Sequence, residues 1–439
     1  MHRRQFAATI AGAAAALALP RSLLARTHGS APVIDGARLN ARLMQLATFG
    51  ARNDGGVDRV AYTAADLAAR TWIEPLLRDA GLVVRRDTVG NIIGKRDGTD
   101  SSRKPIVIGS HIDSVPAGGR FDGTVGVMSA IEVADALQRS RTALRHPLEV
   151  VIWMNEEGGL IGSRIVAGEL VERDLAAVGV AGITHREGIV RLGGDPTRLE
   201  ASTWAPGRNA AYVELHIEQG ASLDRDRLEI GVVEGIAGIY AWDVVITGQQ
   251  NHAGATAMVD RKDALLAASR YVGAVDRIVR AEGQAVGTVG RLSVAPGARN
   301  VIPGRVEASL ELRSLDEARI KRLFDTIQRE TTDIGAANGT TFAFSLAQSR
   351  SPSMCVPAIR DVVRTQARAL GRSTNDVPSG AGHDAQSMAR VGPMGMIFVP
   401  SVAGISHSPF ELTHPAQITQ GAEVLLRTVL AIDANPPKN

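Results

Sequence analysis

The sequence predicts an α/β protein, a sheet with helices on both sides, into which a small ferredoxin-like module is inserted. Three observations predict it. Short apolar runs alternate with helical segments through the first part of the chain. Residues suited to catalysis fall just past the ends of those runs. After "HIEQG" the order becomes strand, helix, strand, strand, helix, strand.

Residues 39–49 and 64–80 carry apolar side chains at helical spacing, and Gly81 stops the second helix. Extended apolar runs follow at 82–84, 92–93, 106–108 and 148–153. Between the last two lies a helical segment, 123–139, with Val127, Ile131, Ala134 and Leu137 along one face. The later pattern begins with a strand at 240–246. A helix over 262–280 buries Leu265, Tyr271, Val272, Val275 and Val279. A strand-like run covers 286–294. Strict alternation over 305–313 sets Val306, Ala308, Leu310 and Leu312 against Glu307, Ser309 and Glu311. A helix over 317–337 and a strand over 340–346 complete the βαββαβ order. The domain boundaries expected are 32–230 and 348–436 for the larger, discontinuous domain and 231–347 for the insert.

The chain of 439 residues is long enough for two cores, and 44% hydrophobic with 22% charged residues is ordinary for a globular protein. The one cysteine, Cys355, excludes an internal disulfide and a cysteine-built zinc site. The formal charge is +3, but the opening "MHRRQFAATIAGAAAALALPRSLLA" holds Arg3, Arg4 and Arg21 and no acid. Without those residues the charge is zero, and no basic stripe for nucleic acid remains. The same stretch reads as a twin-arginine-type export signal over 1–25, with a basic start, an alanine-rich apolar run too short for a membrane span, and Pro20. Periplasmic export without stable membrane association is the expectation, with a cytoplasmic location as the alternative.

The chemistry-bearing residues, in chain order, are His111, Asp113, Asp122, Glu156, Glu157, His216, His383 and His407. His111 follows "PIVIGS", and Glu156 and Glu157 follow "LEVVIWMN", so two strands deliver candidates to one sheet edge. Imidazole and carboxylate donors suit zinc, manganese, cobalt or nickel. Two metals sharing one carboxylate need about five ligands. His111, Asp122, Glu157, His216 and His407 supply five, with Asp122 on its glycine-rich loop as the bridge. Glu156 is then free to take a proton from metal-bound water and return it to a leaving nitrogen. Asp113 is placed to hold the other ring nitrogen of His111. Taken singly, each histidine reads more readily as a structural residue than as a ligand, and no spacing rule joins positions so distant.

The stretches "GSHIDSVPAGGRFDGTVGVMSAIE", "NEEG", "ELHIEQG", "GQQNHAGATAM", "GARNVIPG", "LELRS", "SGAGHDAQ" and "GISHSPFE" resemble those of the dinuclear-metal amidohydrolases that include N-carbamoyl-L-amino-acid hydrolases, β-ureidopropionases and allantoate amidohydrolases, within the aminoacylase and carboxypeptidase superfamily. The likeness runs from about residue 35 to 430. It implies a mixed-sheet, exopeptidase-like catalytic domain holding two divalent ions, with the insert acting as lid and homodimer contact. It also implies that His111, Asp122 and His216 hold one ion, that Asp122, Glu157 and His407 hold the other, and that Glu156 is the base. His252 would steady the oxyanion from the partner subunit. Asn300 and Arg313 would bind the substrate, with Arg313 pairing its carboxylate, and Gln219 and His383 would line the pocket. The implied substrate is a linear ureido or amide compound, most directly an N-carbamoyl amino acid. Allantoate, or a peptidase or aminoacylase substrate, is the alternative, and a periplasmic binding protein without turnover is the non-enzyme one. Two departures bear on pocket shape: the segment after "NEEG" is short, and Ala257 stands where the family carries proline.

Overall fold

The computed structural model describes residues 31–437, so the expected leader over 1–25 lies outside the described residues. Along the chain the larger sheet takes β1 (Val83–Arg86), β2 (Ile92–Arg96), β3 (Ile106–His111), β4 (Leu148–Trp153), β5 (Ala211–Ile217) and β6 (Ile230–Ile236). The insert supplies β7 (Gly238–Thr247), β8 (Asn251–His252), β9 (Val286–Thr288), β10 (Leu292–Ala295), β11 (Val301–Ile302), β12 (Arg305–Ser314) and β13 (Thr341–Arg350). Then β14 (Ser353–Met354), β15 (Thr374–Ser379) and β16 (Met394–Val399) return to the larger sheet.

The larger sheet runs β1-β2-β4-β3-β5-β16-β6-β14, with β15 beside β6. Its four central strands, β4, β3, β5 and β16, are mutually parallel. The flanking pairs β1–β2, β2–β4, β16–β6 and β6–β14 are antiparallel, which makes the sheet mixed. Every residue of the four central strands is buried, as expected for strands covered on both faces. Because these four run the same way, their carboxyl ends share one edge, and residues distant in sequence arrive there together.

Helices Gly36–Leu46, Thr124–Arg139, Pro357–Ala369 and Pro415–Ala434 cover one face, with Leu43, Ile131, Val363 and Leu425 in a common core. Trp153, Tyr212, Phe398 and Trp204 pack on the other. The sequence predicts one buried face for the segment 123–139; instead, residues 124–137 are all buried. That helix lies between the sheet and the helices Gly36–Leu46, Ala64–Asp79 and Pro415–Ala434, and the small residues Gly126, Ser129 and Ala130 allow close packing on its second face.

The insert is an antiparallel sheet in the order β10-β12-β7-β13, with β9 also on β12. Helices Ala264–Glu282 and Glu317–Asn338 share its separate core, where Trp242 and Phe324 stack with ring centroids 4.2 Å apart. This is the ferredoxin-like order. Two expectations need correction. The insert spans 238–350 rather than 231–347, because β6 pairs with β16 and β15 in the larger sheet. Only Ala237 separates β6 from β7, so no turn signal marks the border. The run 286–294 is two strands, broken where the Gly290 and Arg291 N–H groups donate to the Ser309 hydroxyl at 3.2 and 3.1 Å.

Candidate metal centre

The carboxyl ends of the parallel strands carry the acid and imidazole groups. His111 closes β3, Glu156 and Glu157 follow β4, His216 lies at the end of β5, and His407 is in the loop beyond β16. Asp122 is at their centre. Its Oδ1 lies 3.2 Å from His216 Nε2 and 3.6 Å from His111 Nε2. Its Oδ2 lies 3.1 Å from His407 Nε2, which is also 3.5 Å from Glu157 Oε2. Two triads result, His111–Asp122–His216 and Asp122–Glu157–His407, each with donor atoms within 4.8 Å of one another. Each triad faces its own oxygen of Asp122. Glu156, outside both, is buried with Oε2 3.7 Å from His111 Nε2.

The donor set fits divalent cations. Glu157 Oε1 is buried without a hydrogen-bond partner among the described residues. Burial, reinforced by Asp122, pushes the Glu157 carboxyl up to about 8. Burial likewise drives Glu156 well above the carboxylate range, against the pull of His111. The contact with Asp122 raises His407 to about 9. Burial works against the Asp122 charge, yet His111, His216 and His407 together hold that carboxyl well below its ordinary value. Three crowded carboxylates and an orphaned oxygen in a dry cleft are what added positive charge would relieve. Nitrogen and oxygen donors of this kind suit zinc, manganese, cobalt or nickel.

The glycines of the loop around Asp122 are there for close approach. Gly123 has φ +63°, and a Cβ there would overlap the His111 ring. A Cβ at Gly119 would overlap the Glu411 carboxylate. That carboxylate accepts the N–H groups of Phe121 and Asp122 at 2.8 and 3.1 Å and the Ser406 hydroxyl at 2.8 Å, so it fixes the bridging aspartate. Glu411 lies inside the quoted "GISHSPFE" motif, but sequence reasoning assigned it nothing; a second acid shortly after a candidate ligand was the available signal.

Asp113 does hold the other ring nitrogen of His111, but through its backbone and not its carboxylate. His111 Nδ1 donates to its backbone carbonyl at 3.0 Å, while its carboxylate lies 3.7 Å away. The carboxylate instead accepts the N–H groups of Glu156 and Glu157 at 3.2 and 3.1 Å, which orients the acid pair. Arg59, wholly buried, donates to the Ile112 carbonyl at 2.6 Å and stiffens the same turn. Asn155, Gln219 and His407 all have positive φ, at +51°, +56° and +53°. Such backbone strain in non-glycine residues is held in place by the surrounding contacts.

The remaining candidates divide into two groups. Gln219 Nε2 donates to Asp122 Oδ2 at 2.7 Å, and His383 is buried edge-on against His216 with centroids 4.4 Å apart. Burial holds His383 well below the usual imidazole range, so it is neutral. Arg313 bridges the domains, donating from Nη1 to the Gly380 carbonyl and from Nε to Glu311, both at 2.8 Å. His252 and Asn300 are exposed on the insert, where β8 pairs with β11. Their hydrogen bonds among the described residues stay within it: Ala253 N–H donates to the Asn300 carbonyl, and His252 Nδ1 accepts from Gly254 and Ala255, each at 3.0 Å. A neutral His252 therefore carries its proton on Nε2.

A mixed sheet with a shared-aspartate double triad at its carboxyl edge defines a metallohydrolase class, and residues 107–431 match the model of Peptidase family M20/M25/M40. The chain belongs to that family, and it is an enzyme that hydrolyses C–N bonds. It is 39% identical over 402 residues to an N-carbamoyl-L-amino acid amidohydrolase from Geobacillus stearothermophilus, covering 90% of this chain and 98% of the relative. It is 35% identical over 410 residues to a ureidoglycolate hydrolase from Arabidopsis thaliana, covering 90% and 86%. A solved amidase of the hydantoinase/carbamoylase family from Burkholderia multivorans superposes with a TM-score of 0.85 at 39% identity, covering 93% of this chain and all of the other.

Proposed function

We propose that this enzyme hydrolyses the carbamoyl C–N bond of an N-carbamoyl-L-amino acid or a closely related ureido acid. The observation that carries the reading is the double triad around Asp122 with Glu156 buried beside it and outside both. His111, Asp122 and His216 would hold one divalent ion, and Asp122, Glu157 and His407 the other, with zinc or manganese first and cobalt or nickel also suited. When bound, the ions supply Lewis acidity for the scissile carbonyl and make water more acidic.

The chain's own groups do the rest. Glu156, as the carboxylate, takes a proton from the attacking water and, now protonated, passes it to the departing nitrogen. Asp113 holds the peptide N–H groups of Glu156 and Glu157 and so fixes the direction of that transfer. Gln219 and the neutral His383 line the pocket. Arg313 offers a planar fork to the substrate carboxylate once it exchanges its Glu311 and Gly380 partners, and Asn300 assists. His252 donates from Nε2 to developing negative charge, reaching the site as the insert closes within a homodimer. The leader-like opening stretch supports a periplasmic location for this activity.

The test is release of ammonia and of free amino acid from a panel of N-carbamoyl amino acids, N-acyl amino acids, allantoate, ureidoglycolate and dipeptides, with the manganese, zinc, cobalt and nickel forms. N-Carbamoyl amino acids should be turned over best. The likeness to ureidoglycolate hydrolase supports one second reading, and a preference for ureidoglycolate would establish it. Release of amino acids from dipeptides alone would defeat both.

A further inference from the structure

Glu214 takes no part in the chemistry above, yet it is completely buried beneath it. We propose that Glu214 is the positioning residue that sets three site histidines together, His111, His216 and His383. The inference rests on the metal-centre reading, since two of those histidines are its ligands.

Glu214 and His216 project from the same face of β5, as alternate residues of a strand must. Glu214 Oε1 accepts the Ser110 hydroxyl at 2.7 Å. Its Oε2 accepts the Tyr212 hydroxyl and the Ala385 backbone N–H, both at 3.0 Å. Ser110 immediately precedes His111 on β3. Ala385 lies in the first turn of helix Asp384–Met388, which begins next to His383. Tyr212 is held in turn by Trp153 Nε1 at 3.0 Å, at the end of β4. One carboxylate thus joins the three elements that present the histidines and, through Tyr212, a fourth that leads to Glu156.

Glu214, His216 and His383 are also close enough to hold a cation. Their hydrogen bonds argue against it. His216 Nδ1 donates to the Ile217 carbonyl at 2.9 Å, which leaves only Nε2, and Nε2 faces Asp122. His383 Nε2 pairs with the Ser379 hydroxyl at 2.9 Å. Both Glu214 oxygens are occupied by three donors from the protein. The cluster is a hydrogen-bonded support. An apolar side chain would fill the space at lower cost in desolvation, but it has no means of aligning three donors from three elements. Groups that orient metal ligands in this way change metal affinity by 10- to 100-fold when removed.

The test is cobalt(II) binding to the metal-free full chain, followed by calorimetry and by visible d–d absorption, which reports ligand geometry independently of turnover. Glu214→Ala should weaken cobalt binding about 10- to 100-fold and alter the spectrum. Glu214→Gln, whose oxygen still accepts from Tyr212 and Ala385 and whose amide can donate to Ser110, should stay within about threefold of the parent. If near-UV circular dichroism shows that Glu214→Ala does not fold, Ser110→Ala takes its place, since it removes one support and little volume; it should weaken binding severalfold. A folded Glu214→Ala, or Ser110→Ala in its place, with the parent's affinity and spectrum would overturn the proposal. So would a Gln variant as weak as Ala, which would mean that charge, rather than hydrogen bonding, is what matters. His111→Ala separates the two readings: if it binds cobalt as the parent does, the metal-centre assignment itself fails.

Discussion

At the scale of single residues the site is governed by how carboxylates behave when water is removed. Glu156 and Glu157 are neighbours in sequence but have different duties, because only Glu157 shares His407 with Asp122. Replacing Glu156 by Gln should leave metal content and folding intact while lowering kcat by about 10²- to 10⁴-fold; ammonia release together with elemental analysis would check this. The protonation of Glu157 and His407 also predicts a pH dependence for the metal-free protein. Both groups have folded values raised above their ordinary ones, to about 8 and about 9. The stability each contributes is therefore present at acidic pH and is lost as pH rises, between about 4.5 and 8 for Glu157 and between about 6.5 and 9 for His407. Asp122, held low, stays ionised throughout. Metal-free protein should melt at progressively lower temperature from pH 6 to pH 9, and added zinc or manganese should raise the melting temperature most at the alkaline end. Thermal melts with and without chelator measure this, and a metal increment independent of pH would contradict it.

At the scale of elements, the loop between β3 and helix Thr124–Arg139 leaves no room for a side chain at Gly123 or Gly119. It must turn at Gly123 with φ +63° while the His111 ring fills the space a side chain would need. Gly123→Ala should fold less stably and bind one ion less tightly, as read by thermal melts and elemental analysis, with an effect larger than the 1 kcal/mol or so usual for a glycine in a helix. The loop after Glu157 illustrates the opposite tendency. Gly158 and Gly159 lead almost directly into the helix Ile161–Val166, so the short segment noted in the sequence is a direct strand-to-helix passage. It borders a cavity of about 40 Å³ lined by Tyr62, Val115, Pro116 and Asn155 beside Glu157.

At the scale of the whole molecule, two cores are built separately and joined by Ala237 on one side and Ser351 and Pro352 on the other. The insert has its own apolar cluster and two helices, so a fragment spanning 238–350 should fold cooperatively by itself, as followed by far-UV circular dichroism. Arg313 then becomes a contact between domains as well as a candidate ligand for the substrate. Arg313→Ala should raise KM for a carboxylate substrate tenfold or more, with a smaller change in kcat, and should leave the KM of the matching substrate amide nearly unaltered.

The sequence by itself determined the α/β class, the order of elements in both domains, and the residue types needed for a metal centre. Those properties are local: apolar period, turn residues, and motifs a few residues long. The alternation at 305–313 and the helices at 64–80 and 317–337 are legible because each buries one face and leaves the other to solvent. The tertiary structure decided where β6 ends and the insert begins, since that depends on which sheet supplies its hydrogen bonds. It decided that Asp113 holds His111 through a carbonyl and uses its carboxylate elsewhere. It alone brought Glu214 and Glu411 beneath the histidines and Asp122, because a buried acid is recognisable as a support only when its partners, up to 290 residues away in the chain, are in place around it. Convergence of this kind follows from four parallel strands ending at one edge, and no stretch of sequence contains that fact.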